Sequence, residues 1–535
     1  MSYLELTRRL AADPEQLELT WQQAAVAGEA QAFSEAVESA YRDDPDNLLY
    51  AAWHYRLAHT AATAARRVIA WNWAIPLAVL NGLLLWLLSD ENRFTLEVAN
   101  PVTGASYNVL PLVALLAAPI SAAVIVLFLT LAGDRRWRRF AAVALGLAAS
   151  AVYVLLIFPV MWPRVFQEQY LGLMVLHLGL LAWAGIGVVA MGRGFESEQR
   201  FAFLFKSLEA LVVAGLFAIV GGIFMGITFG LFGALGIDLP DAVARLFIAG
   251  GAGLIVVVAV ALVYDPTARP AEQSFDEGLS KLIALLMRLL LPLTVGVLLV
   301  YLAFIPFNFR EPFENRDVLI VFNVMLFAVL ALMIGATPVR SQDVSPRGQM
   351  WLRSGIIALA LLAILVSVYA LAAIIYRTSI DRLTPNRLTF IGWNIINIVI
   401  LVLLLIKQLQ AGRERWLPAM HRTFAVATVF YIVWTIFGII ALPVLFRGDP
   451  AQVAGLPVRV QQIAYEEPYP VLLKCSTSPH IYLLEDGQKR WIKDIATFEA
   501  RGYRWNDVRY VNCDDLAAVP DGVPIPPDAG PPPQP

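Results

Sequence analysis

Long apolar runs separated by short polar loops dominate the middle of the chain. They fall near residues 68–88, 108–132, 140–162, 170–191, 208–236, 242–264, 281–306, 317–338, 351–376, 387–407 and 421–446. Each is long enough to cross about 30 Å of hydrocarbon as a helix. The runs at 208–236 and 242–264 are joined only by residues 237–241. The first of these ends in a Gly-rich stretch, so a broken or re-entrant helix stands beside two plain spans. Gly221, Gly222, Gly226, Gly230, Gly233 and Gly236 place several small residues four apart. Such spacing favours close helix packing, and it also suits an unwound segment lining a site.

The flanks follow other patterns. Residues 1–67 are polar and read as short amphipathic helices. Asp13-Pro14-Glu15 is a helix start, and Asp44-Pro45 with Asp46 opens another. Leu48, Leu49, Ala52 and Tyr55 then recur at helical spacing. This segment reads as a helical cap on the membrane face, or as a docking module for a partner. No apolar run opens the chain, so the first span is expected to serve as an uncleaved targeting signal.

After residue 446 the long runs give way to short strand candidates at 471–475, 481–484, 490–492 and 508–511. Asp486-Gly487 is a hairpin-turn signal. Residues 497–501 read as a short helix, and the Pro-rich tail 524–535 is expected to be disordered. The fold class expected is an all-α polytopic membrane bundle of about eleven helices over 68–446. It carries a helical N-terminal segment, 1–67, and a small α+β C-terminal domain, 447–523.

Composition supports this division. Charged residues make up 15% of the chain, against about 25% in soluble domains. The surplus apolar surface calls for a lipid bilayer as partner. A net charge of −2 offers nothing to nucleic acid. With the N-terminus cytoplasmic, inner loops hold about eighteen Lys and Arg and outer loops about eight. That asymmetry has the sign of the positive-inside rule, and DRRWRRF at 134–140 is its strongest single element. It places the C-terminal domain outside a cell (inner or plasma) membrane.

Few residues suggest chemistry. Among the spans, His177, Arg288, Asn323, Asn394 and Asn397 stand out, and no span has Asp or Glu near its middle. His177 reads as a neutral ring bonded between helices or as a ligand or proton-relay residue. Arg288 reads as a side chain reaching for inner headgroups. The asparagines read as interhelical ties. The outer turn from Arg377 to Arg387 carries three Arg residues against Asp381 alone. Arg377 or Arg387 is expected to pair with an outer-loop carboxylate or an anionic headgroup, with Asn386 a further binding candidate. Asp90 and Glu91 stand where polytopic glycosyltransferases keep acidic residues, and equally where the charge rule leaves them. No catalytic triad, G-x-S-x-G or H-E-x-x-H pattern is present. No catalytic residue, metal site or cofactor is therefore assigned.

The stretch VSVYALAAIIYRTSIDRLTPNRLTFIGWNI at 366–395, with LLLPLTVGVLLVYLAFI at 289–305, resembles the bacterial polytopic proteins of domain-of-unknown-function family 4153. Arg382 stands where Gly is common in that family. The resemblance covers roughly 65–445 and implies a membrane-embedded helical bundle without implying an activity. HIYLLEDGQKRWIKDIATFEARGYRWNDVRYVN at 480–512 is similar to small modules appended to bacterial envelope and cell-surface proteins, which implies binding or spacing. Trp491, Tyr503 and Trp505 are its candidate sugar-stacking aromatics, or else its core. An envelope or cell-wall component is the partner this implies.

The two cysteines, Cys475 and Cys513, both follow the last span. In an oxidising compartment they are expected to form a disulfide that supports a very small domain. Three function classes stand: a non-enzymatic envelope protein presenting the C-terminal module, a transporter, and a lipid- or glycan-processing membrane enzyme.

The charge asymmetry yields a direct test. A reporter fused after Ala411 stays cytoplasmic, and one fused after Pro468 is exported. A cytoplasmic Pro468 fusion would mean an even span count or an inverted orientation.

Overall fold

The computed structural model describes residues 3–26, 29–65, 69–100, 102–192, 194–275, 278–314, 316–340, 344–380, 383–448, 452–467 and 470–533. Two compact units result, Met1–Ala70 and Trp71–Pro535. The boundary falls three residues beyond the expected one.

The first unit holds α1 (Tyr3–Arg9), α2 (Pro14–Val26), α3 (Ala30–Asp43) and α4 (Leu48–Ala65). Asp13 opens α2 as expected, its carboxylate accepting the Gln16 N–H at 3.0 Å. The start of α4 is different: Asn47, not an aspartate, accepts from Leu49 N–H at 3.0 Å and Tyr50 N–H at 3.3 Å. The buried stripe of α4 also differs. Leu48 and Tyr55 are 86% and 64% exposed, while Trp53 and Leu57 join Leu17, Phe33 and Val37 in the core. The Trp53 ring packs edge-on to Trp21 and Phe33. Seating that large ring fixes the face as 49/53/57.

The second unit begins with α5 (Trp71–Leu88), β1 (Thr95–Ala99), β2 (Ser106–Pro111), α6 (Leu112–Ala132), α7 (Trp137–Ile157), α8 (Arg164–Met191) and α9 (Ser197–Ala234). It continues with α10 (Asp241–Arg245), a π turn at Leu246–Gly250, α11 (Gly251–Val263), α12 (Gly278–Phe304), α13 (Glu311–Glu314) and α14 (Arg316–Ala336). The bundle ends with α15 (Pro346–Ile380), α16 (Pro385–Ala411) and α17 (Trp416–Leu445).

Among the described residues, ten helices are long and apolar enough to cross a membrane. They suggest a multi-pass membrane protein. The one expected span left over, 317–338, falls on α14, where the apolar stretch Val321–Ala336 is shorter.

The doubtful pair resolves clearly. α9 is continuous over 38 residues, so the Gly-rich stretch is not broken. Nor is it closely packed: a Cβ at Gly222, Gly226, Gly230 or Gly233 would meet no atom within 4 Å. The close approach lies elsewhere. A Cβ on Gly82 of α5 would stand 2.8 Å from the Gly250 carbonyl, and one on Gly253 would stand 3.0 Å from the Asn81 carbonyl. Asn81 ties this contact by donating to Ser121 Oγ at 2.9 Å and to Gly253 O at 2.7 Å.

Loop contacts sort the bundle into two ends. At the end where α5 begins, Ala271 N–H donates to Gln199, Arg340 to Ala271 O, and Arg353 to Gln408 O. At the far end Arg245 lies 3.6 Å from Asp90, Met161 bridges Arg447, and Tyr369 donates to Phe309 O.

The C-terminal module sits at the far end: α18 (Val458–Glu466), β3 (Val471–Cys475), β4 (Ile481–Glu485), β5 (Gln488–Ile492), α19 (Ile495–Ala500), β6 (Val508–Val511) and α20 (Cys513–Ala518). Its sheet order is β5-β4-β3-β6, with β3 and β6 parallel and the other neighbours antiparallel. Alternation along the strands covers both faces. Leu473, Tyr482, Leu484 and Trp491 pack with α18, while Leu472, Ile481, Leu483 and Ile492 pack with Phe498 and Ile525. Asp486 and Gly487, both at positive φ, make the β4–β5 turn.

The tail is not loose where it is described. Ile525 is fully buried and exchanges backbone hydrogen bonds with Trp491 and Lys493, so 520–525 runs along the β5 edge. The reason is that β5 is an edge strand with open backbone groups. Buried Lys489 donates to Leu516 O at 2.9 Å and Val519 O at 2.8 Å, capping the carbonyl end of α20. Cys475 and Cys513 stand at disulfide distance, with Cα atoms 5.1 Å apart and a sequence separation of 38. Closing a loop of that length stabilises by up to about 4 kcal/mol in the chain-entropy model.

Candidate functional site

A polar layer crosses the interior where α8, α14, α16 and α17 meet. His177, fully buried on α8, has Nδ1 2.8 Å from Leu173 O of its own helix. It therefore does not tie two helices together as a hydrogen-bonding group. Its ring packs against Trp393 with centroids 6.1 Å apart. Gly438 makes room for it, because a Cβ there would stand 2.5 Å from Nε2.

Asn394 donates to Asn323 Oδ1 at 2.9 Å, and the Tyr431 hydroxyl donates to Asn397 Oδ1. These asparagines are the interhelical ties the sequence suggested. His177 Nε2, Trp393 Nε1, Asn394 Oδ1, Asn397 Nδ2 and Thr435 Oγ1 are buried and find no partner among the described residues. An unpartnered buried polar group costs about 1–3 kcal/mol. Several in one layer make it the first place to look for function.

A second constellation was missed in the sequence. Lys206 and Glu209, both buried, form an ion pair at 2.7 Å on α9. Lys206 Nζ also donates to Ser274 O at 2.7 Å and Ser280 Oγ at 3.1 Å, and lies 4.7 Å from the Phe275 ring centroid. The expected span start at 208 put Lys206 in a loop and Glu209 at a margin. In fact α9 begins at Ser197, so both lie well inside the helix. The available signal was KSLE at 206–209, an i,i+3 pair between the apolar runs FAFLF and ALVVAGLF. Arg288 of α12 donates Nε–H to Ala336 O at 3.2 Å at the carbonyl end of α14.

A third constellation joins the module to the bundle. From α18, the Tyr465 hydroxyl donates to Ala99 O at 2.9 Å, and Glu466 accepts from the Tyr107 hydroxyl at 2.8 Å. Trp162 packs on Tyr465, and the Arg164 guanidinium lies 4.2 Å over the Tyr107 ring. The bond to Glu466 raises the Tyr107 hydroxyl above its ordinary pKa, and burial pushes Tyr465 up to about 12. The receiving hairpin, β1–β2, was also missed, although TLEVA followed by Asn100, Pro101 and Gly104 was a strand-and-turn signal.

The other sequence candidates scatter. Asn386 and Arg387 form the first turn of α16, where Thr384 accepts the Arg387 N–H and Asn386 N–H donates to Gln169. Arg377 lies in the last turn of α15. Neither Arg377 nor Arg387 is without a partner. Asp381 and Arg382 lie outside the described residues. In the module, Trp491 belongs to the core, Tyr503 packs half-buried on Phe498, and Trp505 is 53% exposed. Among the described residues no three His, Cys, Asp or Glu gather to hold a metal ion.

Comparison of the chain with family models, with curated proteins and with solved structures gives no match.

The ion pair supports a quantitative expectation. Lys206→Met or Glu209→Gln alone leaves a buried partner uncompensated and destabilises by about 3–5 kcal/mol. The double variant Lys206→Met/Glu209→Gln loses less than the two singles together. Thermal unfolding of the detergent-purified protein measures this, and additive losses would show that the two side chains act independently.

Proposed function

We propose that the chain is an integral membrane protein of the bacterial cell envelope whose bundle holds the C-terminal module rigidly at the outer face. On this reading the N-terminal unit lies in the cytoplasm, the protein is not an enzyme, and the module binds or spaces an envelope component. The charge asymmetry of the loops supports the orientation. The resemblance to domain-of-unknown-function family 4153 accords with a bundle without assigned chemistry.

The observation that carries the reading is the clamp of Tyr465 and Glu466 on the β1–β2 hairpin. A module on a flexible tether needs no such contact. One fixed in orientation needs several, on both partners.

Hydrogen exchange tests the clamp. Glu466→Ala combined with Tyr465→Phe should speed exchange of the 95–99 and 106–110 amides by about tenfold, equivalent to roughly 1.4 kcal/mol of lost local stability. Unchanged exchange in those strands would remove the rigid-platform reading.

The polar layer favours a second reading, a transporter with its solute path through α8, α16 and α17. The two make opposite claims about water. In an Asn397→Cys variant the platform reading leaves the new thiol unreactive toward a small water-soluble maleimide in membranes. Rapid labelling would favour the transporter.

A further inference from the structure

We infer that a cleft at the α5-start end of the bundle, between α9, α12 and the segment after α14, is a binding site for a phosphate-bearing anionic lipid headgroup. The inference rests on the membrane reading above and adds a ligand to it. The cleft is half-open, with a volume of ≈150 Å³. That is below the ~300 Å³ at which pockets for drug-sized ligands begin, room for a headgroup.

Its walls are apolar: Phe205 from α9, Phe275 from the loop before α12, and Pro338 and Val339 after α14. Among the described residues that line it, the charged ones are Lys281 and Arg288, both cationic. They stand seven residues apart on α12, two turns along one face, or about 10 Å. That separation lets two cations flank one anionic group rather than crowd each other.

The surroundings hold the cleft in shape. Arg288 is anchored through Nε to the Ala336 carbonyl, which orients its guanidinium. Phe275 is held by the Lys206 ammonium against its ring, and Lys206 is in turn fixed by Glu209, Ser274 and Ser280. The buried ion pair thus acts as a positioning group for one wall. Beside the cleft α12 presents Leu282, Leu285 and Leu289 outward, 53–64% exposed. This is an apolar strip on which acyl chains can lie. A phosphate between two cations with chains along a leucine face is the chemistry of an anionic phospholipid. A free phosphate compound shares only the first half of it.

Native mass spectrometry of the purified full chain separates these sources. Phosphatidylglycerol or phosphatidylcholine is added, with and without excess inorganic phosphate. Membrane sedimentation of the same protein is the separate check on the membrane reading: a wild-type chain that does not sediment with membranes fails that reading, whatever the lipid data show. The expected result is preferential retention of phosphatidylglycerol, unaffected by inorganic phosphate. The preference falls about fivefold for each cation removed, in Lys281→Gln and further in Lys281→Gln/Arg288→Gln. Lys281 is exposed at the helix start, so the single variant keeps the test valid if loss of Arg288 unfolds the chain. Arg347→Gln, an exposed cation at the same end outside the cleft, keeps the wild-type preference. Equal retention of both lipids, or an equal loss in Arg347→Gln, overturns the site. Displacement by inorganic phosphate overturns the lipid as its occupant.

Discussion

Helices that are apolar on nearly every face carry no stripe that says which face packs where. That constraint shapes the whole bundle. In a bilayer such helices would have no hydrophobic driving force between them, and a few polar side chains and close glycine contacts would choose the register. Asn81 joins α5, α6 and α11. Asn394 and Asn323 join α16 and α14, and Tyr170 joins α8 to the Ile439 carbonyl of α17. Each is a point contact in an otherwise interchangeable apolar surface. The Gly82–Gly250–Gly253 approach adds shape where polarity is missing. By contrast the Gly-rich stripe of α9 faces open space, although its spacing is the more conspicuous in the sequence.

The same economy governs the two ends. At the α5-start end a buried Lys–Glu pair, two serines and a phenylalanine lock the loop before α12 against α9. At the far end two tyrosines and a glutamate lock the module against the hairpin, and Arg164 of α8 packs over the hairpin's Tyr107. The bundle is therefore braced at both ends by polar groups and tied across its middle by asparagines. The polar layer around His177 carries more hydrogen-bonding capacity than the described residues satisfy. That excess keeps a transport role in view beside the platform role. In the clamp at the far end Tyr465, Tyr107 and Glu466 each have a matched partner.

What sequence alone determined follows from the regularities each environment imposes. Long apolar helices are legible because runs of 20 or so apolar residues are what a helix in hydrocarbon would need along its whole length. The strands of the module were legible because alternate positions face its two covered sides, and Asp486-Gly487 because the turn needs positive φ at both residues. The cysteine pair was legible from its position, Cys475 ending one such strand and Cys513 following another. Tertiary structure alone decided which polar residue meets which. Lys206 and Glu209 were hidden by a helix start misplaced by about three turns. The α4 stripe was misread because Trp53, rather than the nearest run of apolar letters, sets the core. The tail looked disordered by composition, yet an open strand edge gave it backbone partners. Hydropathy is a property of single residues summed along a chain, and so sequence states it. Pairing is a property of two residues brought together by the folds between them, and only the assembled structure holds it.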